Sequence, residues 1–374
     1  MQETRPRDGL KTDPLLFLIP LVLSVIGVVM ITSATSYSSL ERFGSPWVLG
    51  LKQLKWLSVS LMAMVMVYSV PLHMWRKIAP VLWLLALAAT WATLFPGIGR
   101  SVGGARRWLS VGGFSFQPLE ALAPAFSIYL AFIMSEKSSK GRAFLRCLTV
   151  AAFSTLPLFF QPNAGGVLLI FTLAMGIYVI NHGWRYPILA GGIMVAAFLW
   201  LTIAEEYRRR RWVAFLDPWS DPLDKGFQII QGLIAFANGG FWGVGLGRGL
   251  QKLQYLPAMH TDYILAIVGE ETGLIGTMSL LLVYALFSWR SYSLWTALDD
   301  PSMKSLLWGL ILSLLLPLFI NLAGVLKMAP LSGMPLPFLS YGGSSLLFMW
   351  MRVGIMLKIS SQFKAKERVV DFYD

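Results

Sequence analysis

The ionisable residues of this chain crowd into one stretch. Between Glu205 and Gly273 stand Arg208 to Arg211, Asp217, Asp221, Asp224, Lys225, Arg248, Lys252, His260, Asp262, Glu270 and Glu271, whereas most of the remainder is apolar runs of membrane length. Charges kept in or beside a bilayer mark working sites by default. Asp262, in His260-Thr261-Asp262, is a carboxylate beside an apolar helix and among cations. Burial would raise its pKa and positive neighbours would lower it. A net value near the working pH suits a general base. The plainer account is that Thr261 or Asp262 caps the helix that follows.

Other groups offer further chemistry, each with a rival account. Ser101 to Trp108 reads Ser-Val-Gly-Gly-Ala-Arg-Arg-Trp. Its glycines permit close backbone approach to a ligand, and Arg106 and Arg107 suit bidentate phosphate recognition. Trp108 suits a headgroup interface, and the whole motif could be no more than an interfacial anchor. Glu120, just after Gln117-Pro118, either answers the dipole of the fourth helix or faces a pocket. On a continuous helix, Glu270 would lie about 12 Å deeper than Asp262, so it and Glu271 are expected to meet Arg or Lys or to border a wet cavity. The glycines at 239, 240, 243, 245, 247 and 249 lack the Gly-Lys-Ser/Thr ending of a phosphate loop and predict a flexible segment. Residues 228–236 predict a surface helix with a narrow polar face. Residues 330–345 hold three prolines and three glycines, which predicts a re-entrant or capping loop. Its hydroxyls, Ser340 and Ser344 among them, would line the outer cavity or serve only as punctuation.

The elements that must position these residues are membrane helices. Of 374 residues, 56% are hydrophobic and 13% charged, about half the charge of a soluble domain. Spans of about 20 apolar residues fall near 14–35, 49–70, 78–96, 117–134, 146–161, 165–181, 187–205, 262–287, 305–327 and 343–360. The expected fold is all-α and polytopic: one membrane domain over residues 1–374, with a tail at 1–13, an outward-facing loop at 206–261 between helices 7 and 8, and a tail at 361–374. The first span lacks a cleavage site and reads as retained. Basic residues before helix 1 and after helices 2, 4 and 10 predict that both termini are cytoplasmic. Arg100, Arg106, Arg107 and the 208–211 run then lie on the opposite side. A long loop escapes the charge rule, but the first group sits in a short one, which leaves an anionic-ligand pocket as the competing reading. The net charge of +12 points to anionic lipid and not to nucleic acid. One cysteine and three histidines argue against a disulfide and against a cysteine or histidine metal site.

Several motifs resemble the SEDS family of bacterial membrane proteins, whose members include FtsW, RodA and SpoVE. They are Gly104-Ala105-Arg106-Arg107-Trp108, Asp217-Pro218-Trp219 with Gly226-Phe227-Gln228, and Gln251-Lys252-Leu253 before Tyr255-Leu256-Pro257. His260-Thr261-Asp262-Tyr263, Gly269-Glu270-Glu271 with Gly273, and Ser340 to Ser345 complete the set. Residues 251–257 and 32–34 look FtsW-like, and 333–337 looks RodA-like; the balance leans to FtsW.

The resemblance implies a peptidoglycan glycosyltransferase that polymerises lipid II on the outer face of the bacterial cytoplasmic membrane. Asp262 matches the family's essential aspartate and would take the proton from the acceptor sugar 4-hydroxyl, with undecaprenyl pyrophosphate leaving. Arg106, Arg107, Arg210, Arg211 and Lys252, or a divalent cation (magnesium or manganese), would meet the pyrophosphate. Trp108, Glu120, His260, Thr261, Glu270, Glu271, Ser340 and Ser344 would complete the substrate site. Partners implied are a class B penicillin-binding protein, which is a transpeptidase, and the proteins of the divisome or elongasome. Departures stand at Leu119, Ala123, Asn163 and Ala258, where the family carries a small residue, a lysine, an acid and a glutamate. The missing lysine and acid at 123 and 163 suggest one lost pair. Two readings from other classes remain: a lipid II flippase, which the one-sided charge disfavours, and a scaffold for the transpeptidase, which would tolerate Asp262→Asn.

Overall fold

The computed structural model describes residues 12–102, 105–111, 114–192, 215–222, 226–253, 256, 259–330 and 333–371. Its helices are α1 Pro14–Phe43, α2 Val48–Ser69, α3 Leu72–Ala92, α4 Pro118–Met134, α5 Lys140–Phe160 and α6 Ala164–His182. After these come α7 Phe227–Gly239, α8 Ile264–Ala297, α9 Pro301–Val325 and α10 Gly343–Asp371. Residues 185–192 are helical; the rest of the expected 187–205 span lies outside the described residues. Among the described residues seven helices, α1, α2, α3, α5, α6, α8 and α9, are long and apolar enough to cross a membrane, and α4 is a shorter apolar helix. The molecule is a helical, multi-pass membrane protein.

Two spans begin earlier than their hydropathy indicates. α3 starts directly after Pro71, so Arg76 and Lys77 ride on its first turns and not in a loop. α5 likewise takes in Lys140, Arg142 and Arg146. Long basic side chains reach the interface from inside a helix, and here Arg76 and Arg146 both meet Glu136, at 3.2 and 3.6 Å. This face also carries a tighter tie. Asp13 caps α1 through Leu15 N–H and accepts Arg290 Nε of α8 at 2.6 Å, while its own N–H donates to Ser360 of α10.

On the opposite face a small antiparallel sheet appears where a loop was expected: β1 Gly99–Val102, β2 Ala105–Val111 and β3 Phe114–Phe116, in the order β1-β2-β3. Below it α3 packs on α4, α2 on α10, α5 on α6, and α9 on both α4 and α6, while α1 lies against α2 and α8.

α8 is not one rod. Gly273 has φ 69° and ψ −167°, a conformation that an L residue with a side chain rarely adopts. Every residue from Ile264 to Glu271 is buried, whereas Leu274, Ile275, Met278 and Leu282 are exposed to the surroundings. The break leaves backbone groups without helical partners, which is costly within a membrane protein. The 240–245 segment supplies them. Val244 and Gly245 N–H donate to the carbonyls of Glu270 and Glu271 (3.0 and 3.0 Å), and Gly240 and Phe241 carbonyls accept from Leu274 and Ile275 (2.9 and 3.2 Å). This overturns the flexible-loop expectation. Gly239 and Gly243 let the backbone lie against α8: Cβ atoms there would stand 2.0 Å from the Gly269 carbonyl oxygen and 2.3 Å from that of Glu271. Gly239→Ala is therefore expected to cost about 1–3 kcal/mol through overpacking, read as a lowered thermal midpoint; a flexible loop would show no shift.

α7 also departs from a surface helix. Ile230, Gly232, Ala235 and Gly239 are buried against the 263–269 segment, with Gly232 on the Tyr263 ring and Phe236 on Gly269.

The 333–342 segment is re-entrant, as expected. Phe338 packs on Phe287 and Trp350, the Tyr284 hydroxyl donates to the Pro337 carbonyl, and the Gly27 backbone of α1 closes on the carbonyls of Phe338 and Leu339.

Candidate active site

The site forms where the re-entrant segment meets the turn before α8. Three successive main-chain carbonyls in that turn are held. Tyr341 N–H donates to His260 O at 2.8 Å, Ser340 Oγ to Thr261 O at 2.6 Å and Asn321 Nδ2 of α9 to Asp262 O at 2.8 Å. Asn321 also holds Met334 O at 2.7 Å, so one amide ties the re-entrant segment to the aspartate. Gln53 of α2 donates to Ser340 O and accepts from Gly342 N–H, each at 3.3 Å. Asp262 is thus fixed from α9 and from the re-entrant loop, which α2 holds in turn.

Asp262 does not cap α8. The capping position is Tyr263, without a side-chain cap bond, so the carboxylate is left for other work. A Cβ on Gly333 would lie 3.6 Å from Asp262 Oδ2, close enough that a larger residue would crowd the group. Burial raises its pKa to about 6, partly opposed by the Arg107 guanidinium. Burial and the Arg42 charge hold His260 below its ordinary value, so its ring, against Tyr341, is neutral near pH 7.

Arg107 is anchored on the break between α5 and α6, where its Nε and Nη2 donate to the carbonyls of Gln161 (3.4 Å) and Pro162 (2.5 Å). Gln161 is itself fixed to Thr90 O and Thr93 Oγ (2.9 and 2.6 Å). Arg106 does not join it. β2 is irregular here: Ser101 pairs with Arg106 and Arg100 with Trp108, which leaves Arg107 as the extra residue, turned to the α5–α6 break while Arg106 is exposed. The arginines are no bidentate pair.

Several expected ligand residues are spent internally. Lys252 is 8% exposed; its Nζ donates to Gly247 O and lies 3.6 Å from Glu271. Glu271, 1% exposed, also accepts Ser33 Oγ of α1 at 2.6 Å. Among the described residues Glu270 meets no cation; it accepts the N–H groups of Leu250 and Gln251 at 3.0 and 3.2 Å. It lies on the helical stretch 264–272, which begins just after Asp262 and runs unbroken as far as Gly273. Glu120 faces Arg352 of α10 across a small cavity away from Asp262. Ser340 Oγ accepts Leu336 N–H as well as holding Thr261, and Ser344 is buried at the start of α10; neither hydroxyl lines an open cavity. Arg210 and Arg211 lie outside the described residues, as does Ala258. Asn163 caps α6 through Gly166 N–H, and Ala123 lines the Glu120–Arg352 cavity together with Leu119 and with Leu169 of α6.

Asn321, Gln53 and Arg42 were not among the expected site residues. The available signal was a lone amide inside each of two apolar helices. Between α3, α4 and α10 opens an apolar groove of about 280 Å³, lined by Trp75, Leu82, Leu85, Phe116, Phe348 and Ile355 among others. Among the described residues no group of three or more His, Cys, Asp or Glu side chains is arranged to hold a metal.

With this geometry in place, the chain can be set beside known proteins. Residues 13–365 match the family model for FtsW, RodA and SpoVE, described as cell cycle proteins. The chain is 34% identical over 358 residues to a probable peptidoglycan glycosyltransferase FtsW of Geobacter sp. (strain M18), covering 94% of this chain and 97% of the relative. It is 35% identical to stage V sporulation protein E of Bacillus subtilis (strain 168), covering 94% and 98%. Among solved structures, a chain of a peptidoglycan synthase complex matches with TM-score 0.80 at 25% identity, covering 95% and 99%. The rod shape determining protein RodA of Thermus thermophilus matches in fold with TM-score 0.70 at 23% identity, covering 93% and 96%. The whole membrane domain, Asp262 and the elements that hold it included, falls within the matched span, and the chain belongs to the FtsW/RodA/SpoVE family.

Proposed function

We propose that this protein is a peptidoglycan glycosyltransferase that polymerises lipid II on the outer face of the bacterial cytoplasmic membrane, with both termini in the cytoplasm. The observation that carries the reading is Asp262: a carboxylate with a pKa of about 6 on a turn whose three carbonyls are each held by a donor. Asp262 takes the proton from the acceptor sugar 4-hydroxyl as that oxygen attacks the donor anomeric carbon, and undecaprenyl pyrophosphate departs. A hydroxyl is a weak nucleophile and gains from a positioned base. Arg107, preorganised by its carbonyl anchors, stands where negative charge on the pyrophosphate can be met, with exposed Arg106 at the rim. The apolar groove between α3, α4 and α10 suits a lipid-borne substrate better than a soluble one.

A magnesium or manganese ion is a further proposed component. With Asp262 the carboxylate at the site among the described residues, such an ion would take most of its ligands from substrate phosphates and water, as magnesium commonly does, and would supply charge neutralisation of the leaving group. The proposed partner is a class B penicillin-binding protein, within the division or elongation machinery; the relative of known structure belongs to a peptidoglycan synthase complex.

The test is direct. Purified protein, with and without its cognate transpeptidase, is given labelled lipid II and manganese, and glycan polymer is resolved on gels. Polymer is expected. No polymer with the partner present, together with transbilayer movement of lipid II in vesicles, would replace this reading with a flippase.

A further inference from the structure

A proline inside a helix removes an N–H donor and leaves the carbonyl four residues earlier without its partner. In a membrane that carbonyl must be satisfied by something else. α4 contains Pro124, which orphans the carbonyl of Glu120, and α9 contains Pro317, which orphans that of Ser313. Arg352 of α10 reaches both. Its Nη1 donates to Ser313 O at 2.8 Å and its Nη2 to Glu120 O at 3.3 Å. The guanidinium is 2% exposed, and the Glu120 carboxylate beside it offsets its charge. A planar fork with fixed N–H directions can bridge two carbonyls on different helices, whereas a single ammonium holds neither angle.

The bridge leads to the site. Pro317, Met334 and Pro335 wall the cavity of about 10 Å³ beside Arg352 and Glu120. About one turn beyond Pro317, Asn321 holds both Met334 O and Asp262 O. A proline in a helix interior kinks it, so Pro317 influences where Asn321, and with it Asp262, comes to rest.

We propose that Arg352 is a positioning residue for Asp262: by bridging the two proline-orphaned carbonyls it fixes the bend of α9 that carries Asn321. The proposal rests on the reading of Asp262 as the base. Arg352→Lys keeps a cation opposite Glu120, so the fold is retained, but loses the bridge. Misplacement of a catalytic group by about 1 Å costs up to about a hundredfold. Arg352→Lys is accordingly expected to lower kcat for lipid II polymerisation by about tenfold or more, with KM for lipid II within about twofold of wild type. Adding Pro317→Ala gives the Ser313 carbonyl a donor of its own while straightening α9. Thermal stability is expected to recover and kcat to stay low. A kcat that recovers together with the thermal midpoint would reduce Arg352 to carbonyl satisfaction and overturn the proposal, as would a wild-type kcat in Arg352→Lys. Asp262→Asn, run alongside, separates the two failures: normal polymer from that variant removes the base reading itself, whatever Arg352 does.

Discussion

Asp262→Asn should lower the rate of lipid II polymerisation by about 10²- to 10⁴-fold, the range that a positioned general base supplies, while leaving the thermal midpoint nearly unchanged. The amide is isosteric, and the main-chain bonds of residues 260–262 do not use the side chain, so the turn should stay in place. The pH profile supplies a second reading of the same group. A base works when deprotonated, so with the carboxyl at about pH 6 the rate should fall about tenfold per pH unit below that value and level off above it. Arg107 favours the ionised form. Removing it with Arg107→Met should therefore move the acid limb upward in pH, as well as weakening the site for an anionic leaving group. An acid limb unchanged between wild type and Arg107→Met would separate Asp262 from the rate and point the search elsewhere.

Lys252 and Glu271 should show the largest effect on stability. Both are buried, and Lys252→Met would strand the Glu271 carboxylate with Ser33 as its remaining side-chain partner among the described residues. Breaking a buried pair from one side costs about 3–5 kcal/mol, whereas replacing both partners is far milder. Thermal unfolding in one detergent should therefore rank Lys252→Met well below the double variant with Glu271→Gln, and polymerase activity should track the folded fraction. Were Lys252 a substrate ligand, the outcome would reverse: lost activity at an unchanged midpoint, with no rescue by the second change. The consequence reaches beyond the pair, because the same segment carries the backbone bonds that close the break at Gly273.

How much of this was legible in the sequence depends on the kind of signal. Runs of apolar residues locate the spans, since length and hydropathy are local properties. Helix starts were misplaced at α3 and α5 because basic residues on a first turn resemble a loop until their reach to the interface is seen. The re-entrant character of 333–342 was readable from its prolines and glycines. The sheet was not: three strands of 4, 7 and 3 residues have no period long enough to register, and without it Arg106 and Arg107 looked like a pair. The break in α8 was not legible, because a glycine in an apolar run does not announce a positive φ. Asp262 emerged through the motif it shares with a family; by residue type alone it was as good a helix cap. Asn321 and Arg352 were visible as lone polar residues in apolar spans, but what they hold, carbonyls of distant helices, is a property of the assembled fold.

The two ties between α1 and α8 have a physical consequence for the surrounding lipid. Asp13 is fastened to Arg290 at one end of α1, and Ser33 to Glu271 further along it. At about 1.5 Å per residue these ties lie about 30 Å apart, the thickness of a typical hydrocarbon layer. Each polar tie belongs at a boundary, so the pair acts as a ruler. A thicker bilayer would draw one tie into hydrocarbon, and a thinner one would expose apolar helix between them, at a cost of fractions of a kcal/mol per Å of mismatch. Since Glu271 also anchors the segment that splints the break in α8, lipid chain length acts directly on the scaffold beneath Asp262, and turnover should peak in bilayers whose acyl chains match that spacing.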